Sequence, residues 1–289
     1  MSKRAGVAAL VGAAGLALAG AGVSVAASSP DEGGPARYIV GGQQVSDTAP
    51  VVALYADEQG YRCGGVLIAA DTVLTAAHCV AELPTTDNTG GSPPRVTETF
   101  HIRAGSLDRT AGKAYQVTRV DLHPSFHWSD PAPDPDANGD IAVLHLAEPV
   151  REITPALLTP IQPDRPVDVV GWGYTQAPLP PPAPAPSLPT ELQGVPMRAA
   201  DPSRCRGADP AIRADERCLV ADKALAGPCL GDSGSPGLQG RAVVGLVSRG
   251  SAETAVIPCG VGGAVFTDVS AHKSWVLHTI TEQRAGAAA

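Results

Sequence analysis

The stretch from Gly227 to Pro236, with the sequence GPCLGDSGSP, holds the residues best suited to covalent chemistry. A serine hydroxyl is a poor nucleophile by itself, so an enzyme that uses one must supply a base, a group that orients the base, and donors for the developing oxyanion. Gly231 and Gly234 allow a turn tight enough to aim the N–H groups of Gly231 and Ser233 at one point. The letters GDSG also occur in ordinary surface turns, so the interpretation depends on residues elsewhere.

A candidate base and a candidate orienting group both lie upstream of that serine. His78 precedes Cys79 at the end of a short apolar run. A single histidine is more often a surface or core residue than a catalyst, but Cys63 and Cys79 could clamp this one to the preceding strand. Asp140 stands before the apolar run IAVLHL. It either ends a strand or accepts the N–H of His78, which would fix the histidine tautomer and stabilise the imidazolium.

The N-terminus has the composition of an export signal. Residues 1–27 begin with Lys3 and Arg4, continue with an apolar stretch and end in small residues, which predicts a secretory signal peptide. A membrane anchor is the weaker alternative because the run is short, rich in glycine and ends in a cleavage-like site. Residues 28–38 are polar and predict a linker or pro-segment. We therefore expect a secreted, extracellular protein without a membrane anchor.

Composition restricts the fold and the partners. The chain of 289 residues contains 32 glycines and 28 prolines, and its apolar residues come in short runs, which predicts an all-β protein of one large domain or two small barrels. A net charge of −8 argues against nucleic acid or an anionic membrane as the partner. The richness in alanine, glycine and proline indicates a high-GC bacterial source, of the actinobacterial kind.

Six cysteines in an exported chain predict three disulfides, although spacing alone leaves the pairing open. Structural zinc is disfavoured because no CxxC pair occurs and His78 lacks ligands at metal-site spacing. The acidic residues between positions 129 and 139 could bind calcium, but their spacing fits no EF-hand, so a solvated loop is preferred. We expect neither a metal nor another cofactor.

Two segments near the second half and the end of the chain have a recognisable composition. Residues 178–189 are rich in proline, and a stiff exposed insertion is favoured over an SH3 ligand. Ser270 is a candidate N-cap for a C-terminal helix. That helix would carry its apolar side chains on one face, namely Trp275, Val276, Leu277 and Ile280.

Six motifs in fixed order give the chain a family resemblance. They are IVGG at 39–42, LTAAHC at 74–79, DIAVLHL at 140–146, GWG at 171–173, GDSGSP at 231–236 and VSRG at 247–250. With these motifs the chain resembles the trypsin/chymotrypsin family of secreted serine endopeptidases, from Ile39 to about Gln283, and the order His, Asp, Ser distinguishes this family from subtilisins and α/β-hydrolases. The resemblance implies an all-β fold of two six-stranded antiparallel β-barrels with the active site between them and a C-terminal helix. The domain would cover residues 39–284 and leave a disordered tail at 285–289.

The resemblance also assigns roles to the candidate catalytic residues. It makes Ser233 the nucleophile, His78 the general base and then acid, and Asp140 the group that orients His78. The N–H groups of Gly231 and Ser233 would form the oxyanion hole. Ser248 would support the aspartate and offer backbone to the substrate. The partners implied are protein or peptide substrates, and we expect a monomer.

Activation and disulfides follow from the same resemblance. Cleavage before Ile39 would free an α-amine that inserts beside Asp232 and orders the oxyanion loop, so the secreted chain would be an inactive zymogen. A buried carboxylate without a cation is costly, which would keep the loop disordered until the amine arrives. The implied disulfides are Cys63 with Cys79, Cys205 with Cys218, and Cys229 with Cys259.

The primary pocket implied by the resemblance is apolar. Its base would be Gly227, where trypsin has an aspartate that holds Arg or Lys, and its walls would include Gly250 and Ala264. Cleavage after arginine or lysine is therefore not expected. The residue before the activation site is Tyr38, which an apolar pocket accepts, and this suggests self-activation between Tyr38 and Ile39.

Three departures from the family pattern stand near the site. Ser235 replaces a glycine and could crowd the turn behind the nucleophile. Arg249 replaces an aromatic residue and would put a cation on the cleft rim, favouring acidic substrate residues. The proline-rich loop at 178–189 could restrict access of substrates. The alternative function is a non-catalytic homologue that acts as a binding or regulatory protein.

Overall fold

The structure is a computed structural model. The predicted signal peptide (1–27) and pro-segment (28–38) lie outside the described residues, as do the acidic residues of the candidate calcium loop and most of the proline-rich segment. The residues that the structure describes are 39–47, 50–57, 59–82, 98–127, 138–176, 187–205, 212–223, 226–250, 259 and 263–287.

Short strands dominate these residues, as the composition predicts, and a single α-helix follows them. The strands are β1 (Gln43–Gln44), β2 (Val51–Ala56), β3 (Gly60–Ala69), β4 (Thr72–Thr75), β5 (Phe100–Ala104), β6 (Lys113–Leu122), β7 (Ala142–Leu146), β8 (Leu157–Leu158), β9 (Val167–Gly171), β10 (Gln193–Ala200), β11 (Glu216–Ala221), β12 (Pro236–Gln239), β13 (Ala242–Gly250) and β14 (Ala264–Asp268), and the helix is α1 (Lys273–Ala287).

The first half of the domain forms a closed antiparallel barrel in the order β2-β3-β4-β7-β6-β5. Strand β4 joins the middle of the barrel, where Thr75 lies opposite Ala142 at the start of β7. Side chains that point inward along these strands fill the barrel, which excludes water from a core that includes Leu54, Leu67, Val73, Ile102 and Leu144. The pairing of β4 with β7 brings the segments carrying His78 and Asp140 to the same end of the barrel.

The second half forms another closed antiparallel barrel. Strands β10, β11, β14, β13, β12 and β9 pair in that order, and β9 pairs again with β10. The two short strands β1 and β8 add to β10 and β13 at the outside. The buried interior includes Ile39, Val169, Val244 and Phe266. The prediction of two six-stranded barrels is confirmed.

A third apolar cluster joins the two barrels. It combines Val66 and Val143 from the first barrel with Trp172 and Leu246 from the second, and all four are almost completely buried. Burying apolar surface is worth about 25 cal/mol for each Å² removed from water, so this cluster favours one fixed arrangement of the barrels. The cleft between them is where the candidate site lies.

The C-terminal helix differs from the prediction in three details. It begins at Lys273, so Ser270 is not its N-cap; the Ser270 hydroxyl instead donates to Asp268 Oδ1 at 2.6 Å in the preceding turn. Val276 and Ile280 pack into the inter-barrel cluster, but Leu277 is 48% exposed. The helix continues to Ala287, so the predicted disordered tail at 285–289 is helical over its first three residues. Helical hydrogen bonds already formed upstream carry the backbone through this short alanine- and glycine-containing end.

Within the ranges given above, no helix is long and apolar enough to cross a membrane.

Candidate active site

His78 lies in a short 3-10 helix, Ala77–Cys79, directly after β4. A disulfide from Cys79 to Cys63 attaches this turn to β3. The side chain of His78 is 24% exposed, so its ring lies at the surface of the cleft while its backbone is fixed by the barrel. The sequence expectation of a histidine turn held by a neighbouring disulfide therefore matches the geometry.

Asp140 holds His78 by two hydrogen bonds. The backbone N–H of His78 donates to Asp140 Oδ1 at 3.0 Å, and His78 Nδ1 lies 2.9 Å from Asp140 Oδ2. From the second barrel, the Ser248 hydroxyl donates to Asp140 Oδ2 at 2.6 Å and the Thr267 hydroxyl donates to the Asp140 carbonyl at 2.9 Å. Because a carboxylate only accepts, Nδ1 must carry the proton, which leaves Nε2 of His78 free to act as a base.

The electrostatics of this pair suit a general base. Burial alone would lower the pKa of His78, but the charge of Asp140 and its hydrogen bond outweigh burial and raise it above its usual value. Burial alone would raise the pKa of Asp140, yet the charge and hydrogen bonds of His78, together with the Ser248 hydroxyl, lower it. Asp140 is therefore ionised wherever the fold is intact near neutral pH, and it stabilises the imidazolium form of His78.

Ser233 lies on the loop that precedes β12 and is only partly buried. Its carbonyl accepts the N–H of Gly64 at 2.9 Å, and the N–H of Gly234 donates to the Val247 carbonyl at 2.8 Å. Gly234 has a φ of 72°, a left-handed conformation that favours glycine. These bonds attach the serine loop to both barrels at once and turn the Ser233 side chain toward a cavity that it lines.

Two tyrosines fix the backbone orientation of the loop before Ser233. The Leu230 carbonyl accepts the N–H of Tyr174 at 2.9 Å. In a trans peptide the C=O and N–H point in opposite directions, so the Gly231 N–H points away from Tyr174. The Gly231 carbonyl accepts the hydroxyl of Tyr61 at 2.8 Å. Sequence reasoning missed both tyrosines, and their spacing from the serine carries no signal that could have identified them.

Asp232 is completely buried directly beside the serine, and its loop is ordered although the chain is not cleaved before Ile39, so the expectation of a disordered loop in the uncleaved chain is wrong. Its Oδ1 accepts the N–H of Gly173 at 2.8 Å and its Oδ2 accepts the N–H of Cys229 at 2.9 Å. Burial raises the pKa of Asp232 to about 7, because these two N–H groups only partly compensate for lost hydration. Within the described residues no cationic side chain pairs with this carboxylate, so a cation delivered to it would find a strong attraction.

The raised pKa of Asp232 predicts that the uncleaved chain is less stable at neutral than at mildly acidic pH. Above the ordinary pKa of an aspartate, the unfolded chain releases the carboxyl proton of Asp232, whereas the folded chain keeps it up to a pH of about 7. The free energy of unfolding therefore falls as the pH rises from the unfolded pKa through the folded pKa. Between about pH 4.5 and pH 7.5 the loss from this group is about 3 kcal/mol. Urea unfolding of full-length Ser233→Ala, with Ser233→Ala/Asp232→Asn as the matched control, measures it; equal pH slopes in the two proteins would contradict this assignment.

The side chain of Ser235 packs against two glycine residues and does not crowd the turn behind Ser233. Its hydroxyl is buried and has no hydrogen-bond partner in the described part of the chain. A Cβ built on Gly64 would lie 2.0 Å from Ser235 Oγ, and one built on Gly171 would lie 2.8 Å from the same oxygen and 2.2 Å from Asp232 Oδ1. The Ser235 and Asp232 side chains thus occupy the space that these two glycines leave open.

This packing predicts a large penalty for Gly64→Ala. The added methyl group would meet the Oγ and Cβ of Ser235, which are surrounded by rigid backbone, so we expect the free energy of unfolding to fall by about 3 kcal/mol. Ser235→Gly should restore part of this loss in the double variant, because the remaining close atom is only the Cα of residue 235. Denaturant unfolding of the two single variants and the double variant measures the coupling; additive effects would refute the contact.

The cavity next to Ser233 has a volume of about 220 Å³. Two of the predicted substrate-binding residues, Ser248 and Gly250, line it. The other two, Gly227 and Ala264, are buried and are not among its lining residues: Gly227 donates its N–H to the Val40 carbonyl, and Ala264 lies opposite Gly250 in the β13–β14 pair. The lining residues in the described part of the chain are Pro228, Cys229, Leu230, Ser233, Val247, Ser248, Arg249 and Gly250.

Arg249 does not present a free cation on the cleft rim, and this part of the sequence interpretation was wrong. Its guanidinium forms a bidentate ion pair with Glu216, in which Nη2 donates to Oε2 at 2.9 Å and Nη1 donates to Oε1. The Glu216 side chain is completely buried and that of Arg249 is 18% exposed. The sequence around Glu216 does not show that this residue pairs with Arg249. The only available signal is Arg249 itself, since an arginine that replaces an aromatic residue needs a carboxylate partner.

Three disulfides connect the six cysteines in the pairing that the family resemblance implies, Cys63–Cys79, Cys205–Cys218 and Cys229–Cys259. The third bond joins Cys229, in the segment before Ser233, to Cys259. Cys63, His78 and Cys79 approach one another closely enough to suggest a metal site. Both sulfurs belong to one disulfide, however, so neither is a thiolate that could bind a metal.

Comparison with known proteins gives consistent matches over nearly the whole described chain. A family model described as Trypsin matches residues 39–276. A vitellin-degrading protease of Bombyx mori is 32% identical over 274 residues, covering 91% of this chain and 93% of that protein. A trypsin of Phaedon cochleariae is 31% identical over 275 residues, covering 90% and 96%. The solved structure of neuropsin, a serine protease expressed in the limbic system of mouse brain, covers 84% of this chain and 100% of its own, with a TM-score of 0.66 and 24% identity.

Proposed function

Because the chain belongs to the trypsin family and is a serine-type endopeptidase, we propose that it is secreted as a zymogen, activated by cleavage before Ile39, and cuts proteins after apolar or aromatic residues. The triad of His78, Asp140 and Ser233 carries out the hydrolysis. The observation that carries this proposal is the tautomer-fixing contact of Asp140 with His78 beside a small cavity lined by Ser233.

The mechanism follows from which atoms can give and accept protons. His78 Nε2 removes the hydroxyl proton of Ser233 as its oxygen attacks the scissile carbonyl, and the N–H groups of Gly231 and Ser233 stabilise the oxyanion. The imidazolium that forms is stabilised by ionised Asp140 and gives its proton to the leaving amine. Water then attacks the acyl-enzyme with His78 again as base, which releases the acid product and regenerates Ser233.

The character of the cavity supports cleavage after apolar residues. Pro228, Leu230 and Val247 contribute apolar surface, Gly250 leaves room beside them, and no acidic side chain lines the described part of the cavity. A substrate arginine or lysine would lose its hydration there without gaining a carboxylate partner, which disfavours it. A volume of about 220 Å³ is enough for one side chain, so the cavity suits a primary specificity pocket.

The surroundings of Ile39 support activation by an amine. Ile39 is completely buried in the second barrel, and the following residue, Val40, forms an isolated β-bridge with Gly227. Cleavage before Ile39 creates a positive charge at a segment that is already inserted in the core. The buried carboxylate of Asp232, whose pKa burial raises to about 7, is the partner we propose for that charge, since pairing would remove its desolvation penalty.

Self-activation after Tyr38 is part of the proposal, because an apolar pocket accepts tyrosine. Tyr38 itself lies outside the described residues. Purified full-length wild type should acquire an Ile39 N-terminus at a rate that rises with protein concentration, and full-length Ser233→Ala should stay uncleaved. N-terminal mass spectrometry over time distinguishes the two proteins. Equal processing of both would show that another protease makes the cut.

The function itself is tested with protein that begins at Ile39, incubated with a mixed peptide library with and without a serine-directed fluorophosphonate. We expect cuts after apolar or aromatic residues, mapped by mass spectrometry, which disappear when Ser233 is labelled. Cuts after arginine or lysine would contradict the pocket assignment. The absence of both cleavage and labelling would favour the alternative, a non-catalytic homologue that acts as a binding or regulatory protein.

Three further statements remain predictions. Secretion rests on the signal peptide predicted at residues 1–27 and is consistent with three disulfides, which persist in oxidising compartments. A monomeric state rests on the family resemblance. The bacterial source rests on composition alone, and the insect and mouse relatives given above lend it no support.

A further inference from the structure

The wall of the cavity includes Arg249, a residue that the proposed mechanism does not use. Arg249 lines the cavity together with Ser233 and Ser248, and its side chain keeps 18% of its surface exposed. It stands in β13 between Ser248 and Gly250, and the family resemblance implies that Ser248 offers its backbone to the substrate. A charge in this position would act directly on the side chains that precede the scissile bond.

The charge of Arg249 is neutralised from behind by Glu216. Both carboxylate oxygens of Glu216 accept from the guanidinium, and each accepts one further bond: Oε1 from Asn138 Nδ2 at 3.0 Å and Oε2 from the Arg213 N–H at 2.9 Å. The Glu216 side chain has no exposed surface. Four donors in fixed positions therefore hold the carboxylate, and Arg249 cannot turn into the cleft without leaving it buried and poorly paired.

We propose that Glu216 is a specificity-determining residue of this protease: by neutralising Arg249 it prevents the cleft wall from selecting acidic residues on the acyl side of the scissile bond. A substrate carboxylate would have to compete with the carboxylate of Glu216, which is already dehydrated and bound to Arg249 by two hydrogen bonds. The substrate therefore gains little binding energy from Arg249. The inference rests on the proposed function, because it concerns the same cleft.

Removing the negative charge alone should reveal the hidden preference. Glu216→Gln keeps the shape of the side chain but removes the negative charge that Glu216 sets against Arg249. A hydrogen bond to a charged group is typically strong enough to change binding by about tenfold or more. The ratio of kcat/KM for a glutamate peptide to that for its glutamine isostere should therefore rise at least about tenfold over the wild-type ratio, mostly through KM.

The experiment compares peptide pairs that differ only by glutamate or glutamine at one of the three positions before the cleaved residue. The protein begins at Ile39. In wild type the ratio should be near one and insensitive to salt. In Glu216→Gln it should be high at low ionic strength and fall as salt screens the attraction. Asp222→Asn is the matched control, since it breaks the exposed Arg198–Asp222 ion pair in the same barrel and should leave the ratio unchanged.

A second variant reverses the sign of the effect. Arg249→Gln leaves the carboxylate of Glu216 behind the cavity wall without its cation, so the glutamate peptide should be disfavoured by about tenfold relative to its isostere. This variant carries the test if Glu216→Gln does not fold. A role of Glu216 in holding Asn138 alone would reduce kcat/KM equally for both peptides and leave their ratio unchanged.

The results that overturn the inference are distinct from those that overturn the function. A wild-type enzyme that prefers glutamate by tenfold with a strong salt dependence contradicts the neutralisation of Arg249. Unchanged ratios in the folded variants do so as well. A wild-type protein that cleaves neither peptide contradicts the proposed function instead, and the neutral glutamine peptide reports that outcome independently.

Discussion

Replacing Ser233 with alanine should lower kcat for peptide cleavage by on the order of 10⁶-fold. The hydroxyl is the proposed nucleophile, and the neighbouring hydroxyls among the described residues cannot take its place: those of Ser235 and Thr75 are buried, and that of Ser248 is committed to Asp140. The loop should keep its conformation, because its bonds to Gly64 and Val247 use only backbone atoms. The loss should therefore appear in kcat with little change in substrate affinity.

Single-turnover and steady-state kinetics with one peptide that is cleaved after an apolar residue measure this effect. His78→Ala should cost nearly as much, and the double variant should be no worse than either single variant, since the two residues act as one unit. Additive losses would contradict the assignment of nucleophile and base. Thermal unfolding of Ser233→Ala should match that of the parent chain and exclude misfolding as the cause.

Asp140→Asn should lower kcat/KM near neutral pH by about 10⁴-fold. An asparagine amide can donate to His78 Nδ1, which stabilises the tautomer whose proton is on Nε2 and removes the free lone pair that the mechanism needs. The bonds from the His78 N–H, the Ser248 hydroxyl and the Thr267 hydroxyl give Asp140 little freedom to rearrange. The loss thus comes from the proton position and the missing charge.

The pH profile separates these two causes. The catalytic form needs neutral His78, so the rate of the parent enzyme should fall as pH drops through a histidine pKa that Asp140 holds above its usual value. Without the charge of Asp140 this acid limb should move to lower pH, since burial alone lowers the pKa of His78. An acid limb that stays in place in Asp140→Asn would mean that another group controls it.

The sequence could predict an all-β protein of short strands because that depends on a local pattern, whereas the two six-stranded barrels followed from the family resemblance, and the catalytic roles that it implies stay predictions. Short apolar runs separated by glycine and proline predict strands. His78 stands at the end of such a run, Asp140 stands directly before one, and Ser233 lies in a glycine-containing turn. The disulfide from Cys63 to Cys79 follows from a family resemblance and fits the observed turn. A structural feature can be predicted from the sequence when the residues that determine it lie in one short segment.

The contacts that the sequence could not predict join segments distant along the chain. Glu216 and Arg249 are separated by 33 positions, and Tyr61 and Gly231 by 170. Neither pair leaves a periodic or compositional signal, because a single buried contact depends on the register of several strands. For the same reason the sequence predicts an exposed position for Arg249, because nothing near it in the chain indicates a buried carboxylate.

Ser235 illustrates a further limit of sequence reasoning. A side chain in place of a glycine suggests crowding, but the space it needs is provided by Gly64 and Gly171, which belong to other segments. Helix α1 shows the reverse case, since the start of a helix depends on local bonds that compete with one another. There the Ser270 hydroxyl bonds to Asp268 and leaves the helix to begin later.

Both barrels contribute hydrogen bonds to a single residue, Asp140. Asp140 is held by His78 from the first barrel and by Ser248 and Thr267 from the second. The catalytic rate therefore depends on the alignment of the two barrels. A slight rotation of one barrel against the other would lower the rate while each barrel stayed folded. A molecule that binds far from the cleft and shifts one barrel against the other would consequently inhibit this enzyme.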